Sequence, residues 1–377
     1  MRKKVIPEAF HPGEYLRDEI EARGWSPSDL AEILGIENNV VSDLFVGRRS
    51  ISPELAKSLG EALGTSAQLW LNLLSAYKLA AAESPDDTVA RKAKLYSLAP
   101  IREMQKRHWI EESSNIKVLE TQVCQFFKIK SPDERIRLAH AARKSDDHGK
   151  VTNPQLAWLA QAKNLAKRIV KIPKYDLSKF QHLLNELSAL KMEPESVALI
   201  PDLLSQYGIR FLVMEHLPKT KIDGACFWLD NVSPVIVVSL RYDRIDYFWF
   251  TIVHELMHIK KRDGTKILLV ETALVGEDAQ PDNEKPVVEK TADELARRFL
   301  IDQDQLQDFI LRHDPFFSKK AIMSFARLNG VHPGIVVGQL HYMGKVPYGH
   351  FRPLLVKVRD IITSTALSDG WGNIVTA

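Results

Sequence analysis

Two histidines and a glutamate in the stretch FTIVHELMHIKKRDG, residues 250–264, have the types and spacing of a metal site. In a helix, positions i and i+4 lie on one face, so the imidazoles of His254 and His258 can reach one ion. Glu255 follows the first histidine and can face a water bound to that ion. The H-E-x-x-H pattern therefore supplies two metal ligands and one base from a single helix. From this pattern alone, the alternative interpretation is two histidines on a helix surface whose hydrogen bonds are satisfied without a metal.

A third ligand is needed because a catalytic zinc keeps three protein ligands and one open position. The best candidate is Glu289 in VVEKTADELARRFLI, a segment predicted to form a second helix with a buried apolar face. Asp293, one turn further on, can accept a hydrogen bond from a ligand imidazole and fix its tautomer. A surface salt bridge is the alternative for Glu289. The residues thus predict a Zn²⁺ site with three ligands, His254, His258 and Glu289, and with Glu255 as catalytic base.

The helix that carries the two histidines is predicted to enter a core beside a small sheet. The run FWFTIV before His254 is apolar, and GIRFLVM, CFWLD and PVIVVSL have the composition of strands. A peptide substrate is predicted to add as a strand along the segment GACFWLD, taken as a sheet edge, since backbone pairing needs no particular side chain. Cys226 in that segment is interpreted as a buried inert thiol. The oxyanion donor is left open among four residues: Tyr247, His332, His341 and Tyr342.

The N-terminal eighty residues carry the signals of a helix-turn-helix. Ser26 caps a predicted helix with Pro27 at its first position, and Gly35 ends that helix before a second one begins. This second helix is of the kind that lies in a DNA major groove. The residues predicted to contact DNA are Asn38, Asn39 and Ser42 on its outward side and Arg48 and Arg49 after its end.

The segments HPGEYLRDEIEARGWSPSDLAEILGI, GRRSIS and ALGTSAQLWLNL resemble the HigA-type antitoxins, which are lambda-repressor-like helix-turn-helix proteins. The resemblance covers roughly residues 10–80. It implies a five-helix DNA-binding domain, usually dimeric, that represses its own operon and often neutralises a partner toxin. Glu37 and Asp43 depart from the usual pattern, and residues 1–80 carry 9 Lys+Arg against 11 Asp+Glu. Non-specific attraction to DNA should thus be weak, and a domain used only for protein contact is the alternative.

The segments RIDYFWFTIVHELMHIKKRDG and EKTADELARRFLI together resemble the ImmA/IrrE family of zinc metallopeptidases, over roughly residues 195–345. The resemblance implies that His254, His258 and Glu289 bind zinc and that Glu255 is the catalytic base. It also implies substrates that are usually helix-turn-helix repressors. Asp302 is a small departure, because the family often has proline there.

The chain as a whole is predicted to be mainly α-helical: an N-terminal five-helix lambda-repressor-like domain, a helical connector, and a C-terminal α+β zincin-like domain with a small sheet. The predicted boundaries are 1–82, 83–192, 193–345 and a C-terminal extension at 346–377. Residues 88–180 carry 20 Lys+Arg against 9 Asp+Glu, and the remaining chain carries 31 against 39. This basic middle suits nucleic acid or an acidic partner, or else a solvated helical surface.

The 377 residues include only two cysteines, no apolar run long enough to span a membrane, and no apparent signal peptide, so a cytoplasmic protein is expected. Two functions are considered. In the first, a DNA-binding regulator, expected to be a homodimer on operator DNA, carries an endopeptidase that cleaves a regulatory protein such as a repressor. In the second, a non-proteolytic antitoxin or repressor uses its C-terminal domain to sense a signal or hold a small toxin.

Overall fold

The computed structural model describes residues 10–82, 87–134, 136, 142–144, 151–263, 265, 268–272, 274–276 and 285–370, with backbone only at 142–144 and 268–269. The chain divides into two compact units, residues 1–89 and 90–377. No helix in the described ranges combines the length and apolar character that a membrane crossing needs.

The first unit contains five helices, as predicted. They are α1 (Pro12–Ala22), α2 (Pro27–Leu34), α3 (Asn38–Phe45), α4 (Pro53–Leu63) and α5 (Ala67–Ala81). Ser26 caps α2 by accepting a hydrogen bond from the backbone N–H of Asp29, and Gly35 ends that helix with φ 64°. The apolar faces of the five helices meet in one core that includes Leu30, Leu44 and Trp70.

Between residues 87 and 166, the described part of the second unit contains the helices α6 (Thr88–Leu98), α7 (Ile101–Lys106), α8 (Ile116–Phe127) and α9 (Asn153–Ala166). Their buried side chains share a core with one face of a sheet, through residues such as Trp158 on α9 and Phe227 on the sheet. Trp158 is fully buried, and its indole N–H donates to backbone carbonyls of Met214 and Glu215. The helices of the basic middle thus contribute one layer over the sheet.

The sheet has six strands in the order β1-β5-β3-β4-β2-β6. The strands are β1 (Ala142–Lys144), β2 (Arg210–Val213), β3 (Ile222–Trp228), β4 (Pro234–Val238), β5 (Leu268–Thr272) and β6 (Leu367–Ser368). β3 runs antiparallel to both of its neighbours, and the remaining pairs are parallel. Successive residues of β3 and β4 alternate between the core under α6–α9 and a second core on the opposite face.

The prediction that GACFWLD forms a sheet edge is wrong. Every residue of β3 is buried, and β4 and β5 pair with it on its two sides. The chain returns after the histidine helix as β5, whose Glu271 lies opposite Gly224 of β3. The composition of β3, which is apolar on both faces, fits an interior strand better than an edge.

The opposite face of the sheet is covered by the remaining helices. They are α10 (Phe180–Ala189), α11 (Ile200–Gln206), α12 (Ile245–Lys261), α13 (Val287–Leu300), α14 (Gln303–His313), α15 (Lys319–Leu328), α16 (Pro333–Tyr342) and α17 (Arg359–Thr363). The central one is α12, which carries the histidine pair and packs against β3, α13 and α16. Ala292 and Ala296 are buried on α13. Their small side chains let α13 approach its neighbours closely.

The described structure confirms the predicted fold class, which is mainly α-helical with a small sheet in the C-terminal part.

Candidate metal centre

Helix α12 places three functional side chains in the interior. His254, Glu255 and His258 are fully buried. The two imidazoles are one turn apart, and their Nε2 atoms are separated by 3.0 Å. Because α12 is apolar on nearly every side, its polar residues face a closed space rather than solvent.

Helix α13 brings Glu289 to the same point. Its Oε2 atom lies 3.2 Å from His254 Nε2 and 3.3 Å from His258 Nε2. In a tetrahedral zinc site with bonds of about 2.0–2.1 Å, ligand atoms are separated by about 3.3–3.4 Å. The three distances are close to that value, so the donor atoms already surround a position that a single ion can fill.

Each imidazole is oriented by a carboxylate at its other nitrogen. His254 Nδ1 donates to Asp293 Oδ1 at 2.8 Å, and His258 Nδ1 donates to Asp263 Oδ2 at 3.2 Å. Both histidines therefore present Nε2 to the common position in the tautomer that binds metal. Asp293 lies where the sequence placed it. Asp263 was missed, although it directly follows the left-handed residue Arg262 that ends α12 at φ 60°.

Substituting Asp293 with asparagine should weaken metal binding about 10- to 100-fold, because the amide no longer fixes the tautomer and basicity of His254. The measurement is zinc affinity by competition with a chromophoric chelator. The neighbouring Glu294→Gln is the matched control, since Glu294 pairs only with the exposed side chain of Arg298 at 2.9 Å. Equal affinity for Asp293→Asn and wild type would contradict the assignment.

The electrostatics of the site also fit a cation. Burial raises the pKa of Glu255 to about 7. Burial opposes the charged form of His254, yet hydrogen bonds to Asp293 and Glu289 raise its pKa well above the usual value. Both oxygens of Glu255 are buried without a hydrogen-bond donor in the described residues. An unsatisfied buried carboxylate is costly, and a divalent ion at the common position would offset that cost.

A fourth carboxylate reaches the site from the sheet. Glu271 on β5 is buried, and its Oε2 atom lies 3.8 Å from His254 Nε2. Donor atoms of His254, His258, Glu271 and Glu289 all lie within 4.8 Å of one another. Glu271 could not be predicted as a site residue, because a single glutamate in an apolar strand has no spacing that relates it to α12.

Gly224 on β3 leaves the room that Glu255 needs. A Cβ atom at this position would lie 2.5 Å from Glu255 Oε1 and 2.9 Å from Thr251 Cγ2. Any side chain at residue 224 would therefore displace the carboxylate of Glu255 or the methyl group of Thr251. Gly224 is a site residue that the sequence analysis missed.

The Gly224→Ala variant should fold and bind zinc but lose catalytic rate, because the added methyl group pushes the Glu255 carboxylate from its place. A loss of about 100-fold in kcat is expected, at the lower end of what a positioned general base contributes. Gly349→Ala is the matched control, since a Cβ atom there meets nothing within 4 Å. Metal content and kcat should be measured together. Loss of zinc from Gly224→Ala, or an unchanged kcat, would contradict this role.

A cavity of about 50 Å³ lies beside the N-terminal half of α12. Its lining includes Tyr247, Phe250 and Tyr342, and the Phe250 ring is 6.1 Å from the His254 ring. Two other oxyanion candidates have structural partners: His332 caps α16 by accepting from Gly334 N–H, and His341 donates to the backbone carbonyl of His350. Tyr247 and Tyr342 both line this cavity, and the Arg297 guanidinium lies 4.7 Å from the centre of the Tyr342 ring.

The residues predicted to contact DNA lie together on the surface of the first unit. Asn38, Asn39 and Ser42 are exposed at the start and outward side of α3, and Arg48 and Arg49 are exposed after its end. The Asn39 amide donates to Glu37 Oε2 at 3.0 Å, and an Arg48 nitrogen lies 3.8 Å from Asp43 Oδ1. The two acidic residues that depart from the HigA pattern therefore contact two of these five side chains.

Models of two known protein families match this chain, one in each of the two compact units. The model of the helix-turn-helix family matches residues 16–70, and that of the IrrE N-terminal-like domain, a peptidase family, matches residues 205–331. The HTH-type transcriptional regulator YddM of Escherichia coli, itself uncharacterized, is 33% identical over 76 residues, which are 20% of this chain and 81% of that protein. The chain belongs to the helix-turn-helix family and carries an IrrE N-terminal-like domain.

Two further proteins are similar to the helix-turn-helix part. Virulence-associated protein I of Dichelobacter nodosus is 34% identical over 88 residues, 23% of this chain and 81% of that protein. The antitoxin HigA of Pseudomonas aeruginosa, solved with the higBA promoter, is 43% identical over 20% of this chain and 82% of that chain, with a TM-score of 0.19.

Proposed function

We propose that this helix-turn-helix regulator carries a zinc-dependent endopeptidase that hydrolyses a peptide bond in a regulatory protein, such as a repressor. The observation that carries the proposal is the convergence of the His254, His258 and Glu289 donor atoms at 3.0–3.3 Å. Beside them lies the unpartnered carboxylate of Glu255. Three ligands and one free carboxylate match the needs of metal-assisted hydrolysis.

The protein residues have separate roles in this reaction. A bound zinc ion would supply an acidified water and polarise the scissile carbonyl. Glu255 would take a proton from the attacking water and return it to the leaving amine nitrogen. Asp293 and Asp263 would hold the imidazoles in place, and Tyr247 or Tyr342 would donate to the developing oxyanion.

The test of peptidase function is to incubate the zinc-loaded chain alone and with candidate helix-turn-helix repressors, and to identify fragments by mass spectrometry. Cleavage should require zinc, disappear with a chelator, and return when zinc is restored. Fragments that persist after chelation would point to a contaminating protease. Cleavage of this chain itself would indicate action in cis, and cleavage of an added repressor would indicate action in trans.

The first unit is proposed to bind operator DNA as a homodimer, since its relative HigA was solved with a promoter. Substituting Arg48 and Arg49 with alanine should weaken binding to all DNA sequences and reduce the salt slope by about one per lost phosphate contact. Substituting Asn38 with alanine should instead relax sequence preference, at a cost of about 1–3 kcal/mol. Binding is measured by fluorescence anisotropy at several salt concentrations, on the chain's own promoter and on a scrambled duplex.

If the promoter and the scrambled duplex bind equally well at every salt concentration, sequence-specific recognition by α3 is ruled out. Equal salt slopes for wild type and the double arginine variant would rule out the proposed contacts of Arg48 and Arg49 with DNA phosphates.

A non-proteolytic regulator is the second candidate function, and one observation favours it. β3, the strand beside Glu255, is hydrogen-bonded on both sides in the described structure. A C-terminal domain in this state would sense a signal or hold a partner toxin rather than accept a peptide along β3. Co-purification of a small toxin with a chain that cleaves nothing in the presence of zinc would support this candidate.

A further inference from the structure

We infer that Glu271 is a fourth protein ligand of the metal and that β5 thereby holds the peptidase site in a closed, latent state. The inference rests on the proposed metal site and adds a residue and a form of regulation to it. It concerns a carboxylate outside the H-E-x-x-H helix and outside the helix that carries Glu289.

The first observation is the environment of the Glu271 side chain. The residue is 1% exposed, and its Oε1 atom has no hydrogen-bond donor among the described residues. Its Oε2 atom points to the same position as the other donors, 3.8 Å from His254 Nε2. A cation between the two helices would stabilise the charged form of this buried carboxyl group.

The second observation is the number of donors. A catalytic zinc keeps three protein ligands and one open position, whereas a site with four protein ligands is closed. His254, His258 and Glu289 complete the set of three, so a bond from Glu271 to the same ion would fill the position left for a reacting water. The 3.8 Å separation is longer than the 3.2 and 3.3 Å distances to Glu289. A small rotation of a flexible glutamate side chain closes that difference.

The third observation concerns the strand that carries Glu271. β5 pairs antiparallel with β3, and Glu271 lies opposite Gly224, the residue whose missing side chain accommodates Glu255. An extended substrate that used β3 as a template would need the hydrogen-bonding groups that β5 occupies. The same segment therefore blocks both the backbone edge and the coordination position. Release of β5 would open the two together.

The experiment uses full-length chain loaded with cobalt(II), whose visible absorption reports its ligands. Acetohydroxamate, a small chelating ligand for an open metal position, is titrated into wild type, Glu271→Ala and Glu271→Gln. The wild-type spectrum should stay unchanged, whereas both variants should show a saturable spectral shift. Zinc affinity of both variants should fall about 10-fold or more, and peptidase activity should rise. Thr272→Ser, on the same strand, is the matched control and should behave like wild type.

The outcomes separate this inference from the proposed function. If wild type binds one metal ion and takes up acetohydroxamate with the same Kd as Glu271→Ala, the inference is overturned while the peptidase proposal stands. If wild type binds no metal at all, both fail. Weaker metal binding by both Glu271 variants, with circular dichroism unchanged and acetohydroxamate bound at saturating cobalt, supports the ligand role, since the isosteric glutamine keeps the shape of the strand.

Discussion

Replacing Glu255 with glutamine is expected to reduce peptide hydrolysis by about 10²- to 10⁴-fold and to leave zinc bound. The carboxylate has no hydrogen-bond donor in the described residues, and burial raises its pKa to about 7. A base with this pKa can accept a proton from water and pass it on near neutral pH, which an amide cannot do. Since Glu255 is not among the donor atoms that surround the ion position, its loss should spare metal binding.

The measurement combines zinc content by mass spectrometry with the cleavage rate of a repressor substrate. It should be made in the wild-type background and again with Glu271→Ala, because a latent wild type has little activity to lose. Glu294→Gln, an exposed glutamate, is the control. The thermal midpoint of the metal-free Glu255→Gln protein should not fall, because the substitution removes an unpartnered buried charge. A variant that cleaves at the wild-type rate would exclude Glu255 as the base.

Replacing Glu289 with alanine is expected to remove most of the bound zinc. Its Oε2 atom lies within 3.3 Å of both histidine Nε2 atoms, so its loss leaves only the two imidazoles and the more distant Glu271, whose Oε2 atom is 3.8 Å from His254 Nε2. Loss of a residue that only orients a ligand costs about 10- to 100-fold in affinity, and loss of a ligand should cost at least as much. Peptidase activity of Glu289→Ala should fall in proportion to its zinc content, whereas Glu255→Gln should lose activity and keep its zinc. This difference distinguishes a metal ligand from a general base.

Zinc affinity of Glu289→Ala is measured by chelator competition beside Glu294→Ala, which lies on the exposed side of the same helix. One tightly bound zinc per chain in Glu289→Ala would exclude the predicted ligand set. Circular dichroism should be unchanged, because α13 remains anchored by its buried Ala292, Ala296 and Leu300.

Elements whose signals are local could be predicted well. Helices α2 and α4 each begin at a capping serine followed by proline and end at a glycine, and these signals are readable because capping depends on residues three or four apart. The i, i+4 spacing of His254 and His258, and of Glu289 and Asp293, fixed which side chains share a helix face. Tertiary packing places the Glu289 side chain 3.2 Å from His254 and 3.3 Å from His258.

Other features could not be predicted because they depend on pairings distant in sequence. Asp263 reaches His258 through the turn after α12. Gly224 matters only because β3 crosses Glu255, and nothing in its neighbours shows that contact. GACFWLD was wrongly taken as an edge, since a strand's composition shows burial but not which strands flank it.

The residue pattern alone predicted a helix-turn-helix, a pair of imidazoles on one helix and a carboxylate on another. The pairing of β5 with β3 and the position of Glu271 beside His254 became known from the folded chain. Helical periodicity is encoded within a few residues, whereas the backbone groups of any strand can pair with those of any other. Which strand covers the site is settled by the packing of the whole sheet.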